Sequence, residues 1–300
     1  PQDREQLLLP PTDGIMPAVH NLWLEHHFQY YGVQTADIIQ APRIQALDDA
    51  FMNHFRPRDT EARGGDLSCV ARLWQLTSTR YLVGARNFEG QVNGAFARGK
   101  PEFVPRLGFD LGLRADANTN HLAPDDFEAV ANPSGRYAVF EYMAALPRAS
   151  LFARWETTTH DAATLARLRD PAFDPSAIVL LDAGPPAPST PTATNGIAMI
   201  QSYESRRVVI ATRSETPAVL LLNDRWHPDW HATVDGKDAP VLRANHIMRA
   251  VAVPAGAHTV EFRFAPDARP LWASLSAVGA AVLLVGYLAA NARRNSTATS

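Results

Sequence analysis

The sequence predicts a mainly β fold: an antiparallel β-sandwich of jelly-roll or immunoglobulin-like type, a smaller mixed helical N-terminal part, and one C-terminal transmembrane helix. Three observations carry that expectation. Short β-rich runs recur ahead of residue 266, with turn signals spaced roughly every eight to twelve residues, as in sandwiches and barrels. "AHTVEFRFAP" alternates strictly, with His258, Val260, Phe262 and Phe264 on one face, the period of a half-buried strand. Residues 271–290, "LWASLSAVGAAVLLVGYLAA", carry no charge.

Residues 1–80 are expected to be mixed α/β. "HNLWLEHHFQYYGV" is aromatic and ambiguous. In "APRIQALDDAFMNHF", Pro42 stands near a helix start, and Ile44, Leu47, Phe51 and Phe55 recur at helical spacing. Asp48 and Asp49 read as the solvated face of that helix, and "DLSCVARLWQL" reads as a second one. The sandwich is expected over residues 81–266. "RYLVGA" opens it, and a Gly/Pro/Asn-rich connection then reads as a long surface loop, with Asp125-Asp126 as a helix N-terminus. "RYAVFEYMAALPRASLFARWE" returns as strand with a bend at Pro147. Asp161 reads as the N-cap of a short helix ending before Pro171, followed by the strand "SAIVLLDA". Residues 184–196 are Pro/Thr-rich and read as an exposed loop.

Beyond it, "RRVVIATR", "AVLLLN" and "IMRAVAV" are β-rich, and the continuous apolar run of the second suits a strand covered on both faces. Asp235-Gly236 and Pro254-Ala255-Gly256 supply turns. The uncharged stretch 271–290 is long enough for a bilayer core of about 30 Å. Trp272 and Tyr287 stand near its ends, and Arg293 and Arg294 follow it. The positive-inside rule makes residues 291–300 a cytoplasmic tail and residues 1–270 extracytoplasmic. Eight small residues between Ala273 and Gly286 suit a helix packed on other membrane helices. A start at Pro1, without Met or a signal stretch, reads as part of a longer protein.

A net charge of −3 argues against a nucleic-acid partner. The single Cys69 excludes an internal disulfide and a thiolate metal cluster. The dense stretch "NDRWHPDWHATVDGK", residues 223–237, offers three readings: metal site, sugar platform, or decorated β-turn. His26-His27 and His227/His231 are the histidine candidates for a metal. Pro228 breaks the helix that would bring His227 and His231 together, and in extended chain they stand about 13 Å apart. Trp230 alternates with Ala232 and Val234 and reads as core. No metal, cofactor or catalytic residue is assigned, since nucleophile-elbow, phosphate-loop, zincin and dinucleotide fingerprints are all missing from the sequence. Trp226, His227 and His231 stay as candidate ligand or partner contacts.

The segment from "VLLLNDRWHPDWHATVDGK" to "AHTVEFRFAP" resembles the C-terminal region of the bacterial YfhO-like membrane proteins. Asp224, Pro228 and Trp230 match its turn. Val234 to Lys237, Arg243-Ala244-Asn245, Val253-Pro254, Gly256, His258 and Val260 match its later motifs. Asp229 departs, standing where the family has Gly. "LWQLTSTRYLV" and "LPRASLF" extend the likeness, which covers roughly residues 70–290. The resemblance implies a polytopic protein of the glycosyltransferase C type that uses lipid-linked sugars. Its catalytic carboxylates lie in a portion this chain does not contain. The chain would then be an extracytoplasmic module, structural or acceptor-contacting. The implied partners are the bilayer, upstream transmembrane helices of the same protein, and glycan or lipid-linked sugar. The alternative is a membrane-tethered carbohydrate-binding module resting on Trp226 and Tyr203.

Overall fold

The computed structural model describes residues 44–116, 126–184, 196–266 and 269–297. The aromatic stretch at 20–33, His26-His27, Asp125 and most of the 184–196 loop lie outside them. The fold is mainly β, and among the described residues every strand pair but one is antiparallel.

Two sheets face each other. One runs in the order β5 (Ala149–Phe152), β10 (Ala218–Arg225), β14 (Met248–Val253), β13 (Leu242–Ala244), β7 (Val179–Leu181), β6 (Trp155–Thr157); β6 and β7 pair in parallel, a departure from the fully antiparallel sandwich expected. The other runs β12 (Lys237–Ala239), β11 (Trp230–Val234), β15 (Gly256–Phe264), β9 (Arg207–Ser214), β8 (Ile197–Glu204). Leu220, Leu222, Val251, Ile210, Val260, Phe262 and Trp230 close a shared core between them. On β10 the alternate residues Val219 and Leu221 point the other way, into a second core. That core is covered by α1 (Gln45–His54), α3 (Ser68–Leu76) and α5 (Asp161–Arg169), which contribute Phe51, Leu76 and Leu168. Burial on both faces is why β10 reads as an unbroken apolar run. A short helix, α2 (Asp59–Arg63), lies between α1 and α3.

Residues 81–142 form a third sheet, ordered β1 (Tyr81–Ala85), β4 (Tyr137–Tyr142), β2 (Phe103–Leu113), β3 (Phe127–Ala131). Phe103, Phe140 and Tyr142 pack beneath α3 and α4 (Glu89–Ala97). The long loop expected here is therefore a helix and two strands. Asp126 immediately precedes β3. Glycine disguised these strands. A Cβ on Gly108 would lie 2.5 Å from the Asn132 carbonyl oxygen, and one on Gly135 2.4 Å from that of Phe109, so close backbone approach requires glycine at both.

Two further expectations are corrected. Asp161 belongs to the first turn of α5, whose N-cap is His160, and its carboxylate binds Arg243 at 2.8 Å and caps no backbone amide. Asp48, expected on the solvated face, is buried against Arg225, which reaches across from the end of β10, while Asp49 is exposed as expected. The Asp235-Gly236 hairpin joins β11 and β12 as expected, both residues having positive φ (52° and 77°), as a type I′ turn needs. Gly236→Ala is expected to cost about 1 kcal/mol in chemical denaturation, the strain of a side chain in the left-handed region.

Register fixes which features share an end of the two-sheet body. Trp230 pairs with Phe264, and Arg207 with Arg263, at the end where β15 finishes. Tyr203 on β8 hydrogen-bonds Asp224 on β10, so the 224 end of the first sheet lies against it. Asn223 donates to Ser78 and to the Pro147 carbonyl, attaching the third sheet at the same end. The Asp235-Gly236 hairpin marks the opposite end.

The chain leaves β15 and continues as α6 (Arg269–Thr297). Trp272, Leu275, Val278, Val282, Leu284 and Tyr287 are all exposed, and at 100° per residue they surround its axis. A helix forms over 271–290 as expected, but the crossing of a membrane does not follow from it. Among the described residues no helix is long and apolar enough to cross one; the side chains at 270, 271, 273 and from 289 on lie outside that set.

Candidate functional site

The densest polar constellation sits at the shared end just described. β10 loses register with β14 between Leu222 and Arg225, a bulge that turns Asn223 and Asp224 out of the ladder. Asp224 gathers three partners from three other strands or their flanks. Arg148, just before β5, donates Nε to Oδ1 at 2.9 Å and Nη2 to the same oxygen at 2.5 Å. Arg249 of β14 donates Nη2 to Oδ2 at 2.8 Å, and the Tyr203 hydroxyl donates to Oδ2 at 2.9 Å. Around this carboxylate the guanidinium groups lie over aromatic rings. Arg249 lies 3.7 Å from the Trp230 ring centroid, and Arg148 lies 4.3 Å from that of Tyr203.

Burial sets the electrostatics. Arg249 is 3% exposed, and burial pulls its guanidinium down to about 10, still charged at neutral pH. Its Nη1 donates to the Arg225 carbonyl, while its Nε has no hydrogen-bond partner. Burial, with the Asp224 charge second, pushes the Tyr203 phenol up to about 12. Both Asp224 oxygens are occupied by charge-assisted or phenolic donors, so the arrangement is a closed hydrogen-bonded cluster. It ties the edges of the two facing sheets together and fixes the bulge from which the next loop departs.

Of the sequence candidates, Trp226 and His227 belong to that loop and His231 does not share its surface. The Trp226 amide donates to the Ile247 carbonyl, and its half-buried indole has an Nε1 without a partner. His227 accepts the Asp229 amide at Nδ1 and tilts against Phe264 at 5.7 Å. The Ala265 amide donates to the Asp229 carbonyl, so this loop is tied to the chain just after β15. Asp229, the departure from the YfhO-like pattern, uses its backbone for that contact. His231 is exposed on the outer face of its sheet, opposite Arg263. Trp230, Ala232 and Val234 turn to the core as expected.

A second cluster lines a cavity of about 10 Å³, room for about one water. Arg243 sits between Asp161 (2.8 Å) and Asp182 (3.4 Å), so a guanidinium already holds the cationic place. Among the described residues no His/Cys/Asp/Glu group is arranged to hold a metal. The turn carries two successive positive-φ residues, Asn245 (43°) and His246 (72°). The Asn245 amide donates to the Leu180 carbonyl, and its side-chain Oδ1 accepts the Leu180 amide. His246 Nε2 lies 3.2 Å from the Leu47 carbonyl of α1. Nothing in the sequence but the Asn-His pair hinted at this strained turn, since both residues tolerate the left-handed region better than most.

Burial lowers the His246 pKa, with Asp161 opposing and Arg243 assisting. Its unfolded value near 6.5 therefore lies above its folded one, so the unfolded chain binds more protons in between. Stability from this group is complete above pH 6.5 and is lost as pH falls through the folded pKa. Thermal midpoints measured across that window are expected to fall less steeply in His246→Gln than in the wild type.

The chain matches no protein-family model, no curated protein and no solved structure.

Proposed function

We propose that this chain is a non-catalytic extracytoplasmic β module, held at a membrane by residues 271–290 and working as an assembly or acceptor-contacting part of a polytopic YfhO-like protein of cell-envelope glycan modification. The observation that carries this reading is α6, whose apolar side chains are exposed on every side. A helix apolar all round belongs in a protein interior or in lipid. The stretch 271–290 has twenty uncharged residues, with two arginines following. Residues 1–270 would lie outside the cytoplasm, with 291–300 inside, and the partners would be lipid, further membrane helices, and glycan or lipid-linked sugar.

The latch around Asp224 supports an assembly role, since its acidic, phenolic and buried cationic groups are committed to one another. The carbohydrate-binding alternative needs open aromatic faces. Tyr203 has one face under Arg148 and its hydroxyl engaged, and Trp226 is half buried. Glycan binding by the full chain that disappears in Trp226→Ala would make that alternative the better reading.

The anchor is tested by carbonate extraction of bacterial membranes containing the full chain. Wild type is expected in the pellet. Val282→Arg with Leu284→Arg is expected to leave it, each arginine costing about 2.5–3.5 kcal/mol on insertion scales. Release of the wild type by carbonate would overturn the reading.

A further inference from the structure

We infer that the open face of the third sheet is a foot that rests on an anionic lipid surface beside the point where α6 enters it. The inference rests on the membrane-anchor reading above and goes beyond it.

The sheet has one covered and one open face. Phe103, Phe140 and Tyr142 lie under the helices; the pairs Tyr81–Glu141, Val83–Val139 and Leu107–Val139 put their side chains on the other side. Continuing by twos along β2 adds Leu111 and Leu113. Val83 is 70% exposed and Leu107 54%, with Tyr81, Leu111 and Leu113 also exposed. A contiguous apolar face of this kind marks an interaction site.

Charge and position select the occupant. Among the described strand residues the face carries one acid, Glu141, clamped by Arg80 (2.8 Å) and Arg106 (2.7 Å). Two guanidinium groups against one carboxylate leave the face cationic. Both arginines remain more than half exposed while paired with Glu141, so their guanidinium edges still face solvent. The hydrogen bonds of Asn223 to Ser78 and Pro147 attach this sheet at the end of the body where β15, the strand ahead of α6 in the chain, finishes. An apolar, cationic-rimmed surface beside a membrane-entering helix meets lipid before it meets anything else.

The test uses the full chain with Cys69→Ala, carrying a single environment-sensitive fluorophore on Val83→Cys or, at the far hairpin, on Lys237→Cys. The chain is reconstituted into vesicles of phosphatidylcholine with phosphatidylglycerol and recovered by flotation. Expected is a blue-shifted Val83 signal, quenched by spin-labelled lipid, beside an unshifted, unquenched Lys237 signal. A chain that floats with an aqueous Val83 probe overturns the foot and leaves the anchor standing. A shifted probe that spin-labelled lipid does not quench means a protein covers the face, which also overturns it. A chain that does not float overturns the anchor reading and the foot together. Labelling of the unsubstituted chain by a lipid-soluble diazirine checks the same face without relying on Cys69→Ala. Modification of Val83 and Leu107 is expected, and its absence in floated chain counts against the foot.

Discussion

Asp224→Ala is expected to destabilise the protein by about 3–5 kcal/mol, measured by chemical denaturation at neutral pH. The reason is Arg249. Its side chain is 3% exposed and keeps its charge, so removing the carboxylate strands a buried guanidinium between the Trp230 ring and the Arg225 carbonyl. Arg148, at 33% exposure, can turn to water and contributes less. The identity of the cause is checked by adding Arg249→Met. A well-packed apolar chain in place of the stranded cation is expected to recover most of the loss, because the buried pair costs desolvation as well as supplying attraction. If Asp224→Ala costs less than about 1 kcal/mol, the latch does not hold the two sheets at this end.

The second large effect is expected at Phe51→Ala, also about 3–5 kcal/mol. Phe51 is fully buried in the core beneath α1, beside Phe55, with its ring stacked on His246. Truncation opens a cavity between α1 and the outer face of the first sheet. Helix loss by far-UV circular dichroism and packing loss by near-UV are expected to coincide, because the same core holds residues of α1, α3, α5 and β10. An early helical transition separated from the main one would show instead that the N-terminal helices fold apart from the sheets.

These two sites differ in how far the sequence announces them. The spacing of Leu47, Phe51 and Phe55 makes the buried stripe of α1 visible, and only its destination is missing. Asp224 stands in a stretch whose residue types suggest a ligand site. Its partners lie 76, 21 and 25 residues away in the chain, and no local pattern joins them. The same holds for Asp48, which looks solvated on its own helix and is buried by Arg225, 177 residues on. The third sheet was hidden for another reason. Gly108, Gly112 and Pro105 in β2 are the residues that punctuate loops, and here they accommodate a bulge and close backbone contacts.

What the sequence determined by itself is what depends on neighbours in the chain. Strand alternation in β15, the two-sided burial of β10, the Asp235-Gly236 hairpin and the inward turn of Trp230 all follow from side-chain period and φ preference within a few residues. So does the continuous helix over 271–290. The tertiary structure alone decided which ends of which strands meet. Register brings Tyr203, Asp224, Arg148 and Arg249 to one corner, and it sets the third sheet, with its open apolar face, at the end from which α6 departs. Those outcomes depend on contacts between residues far apart in the chain. Each is settled by burial and charge pairing in three dimensions, and no period along the sequence encodes it.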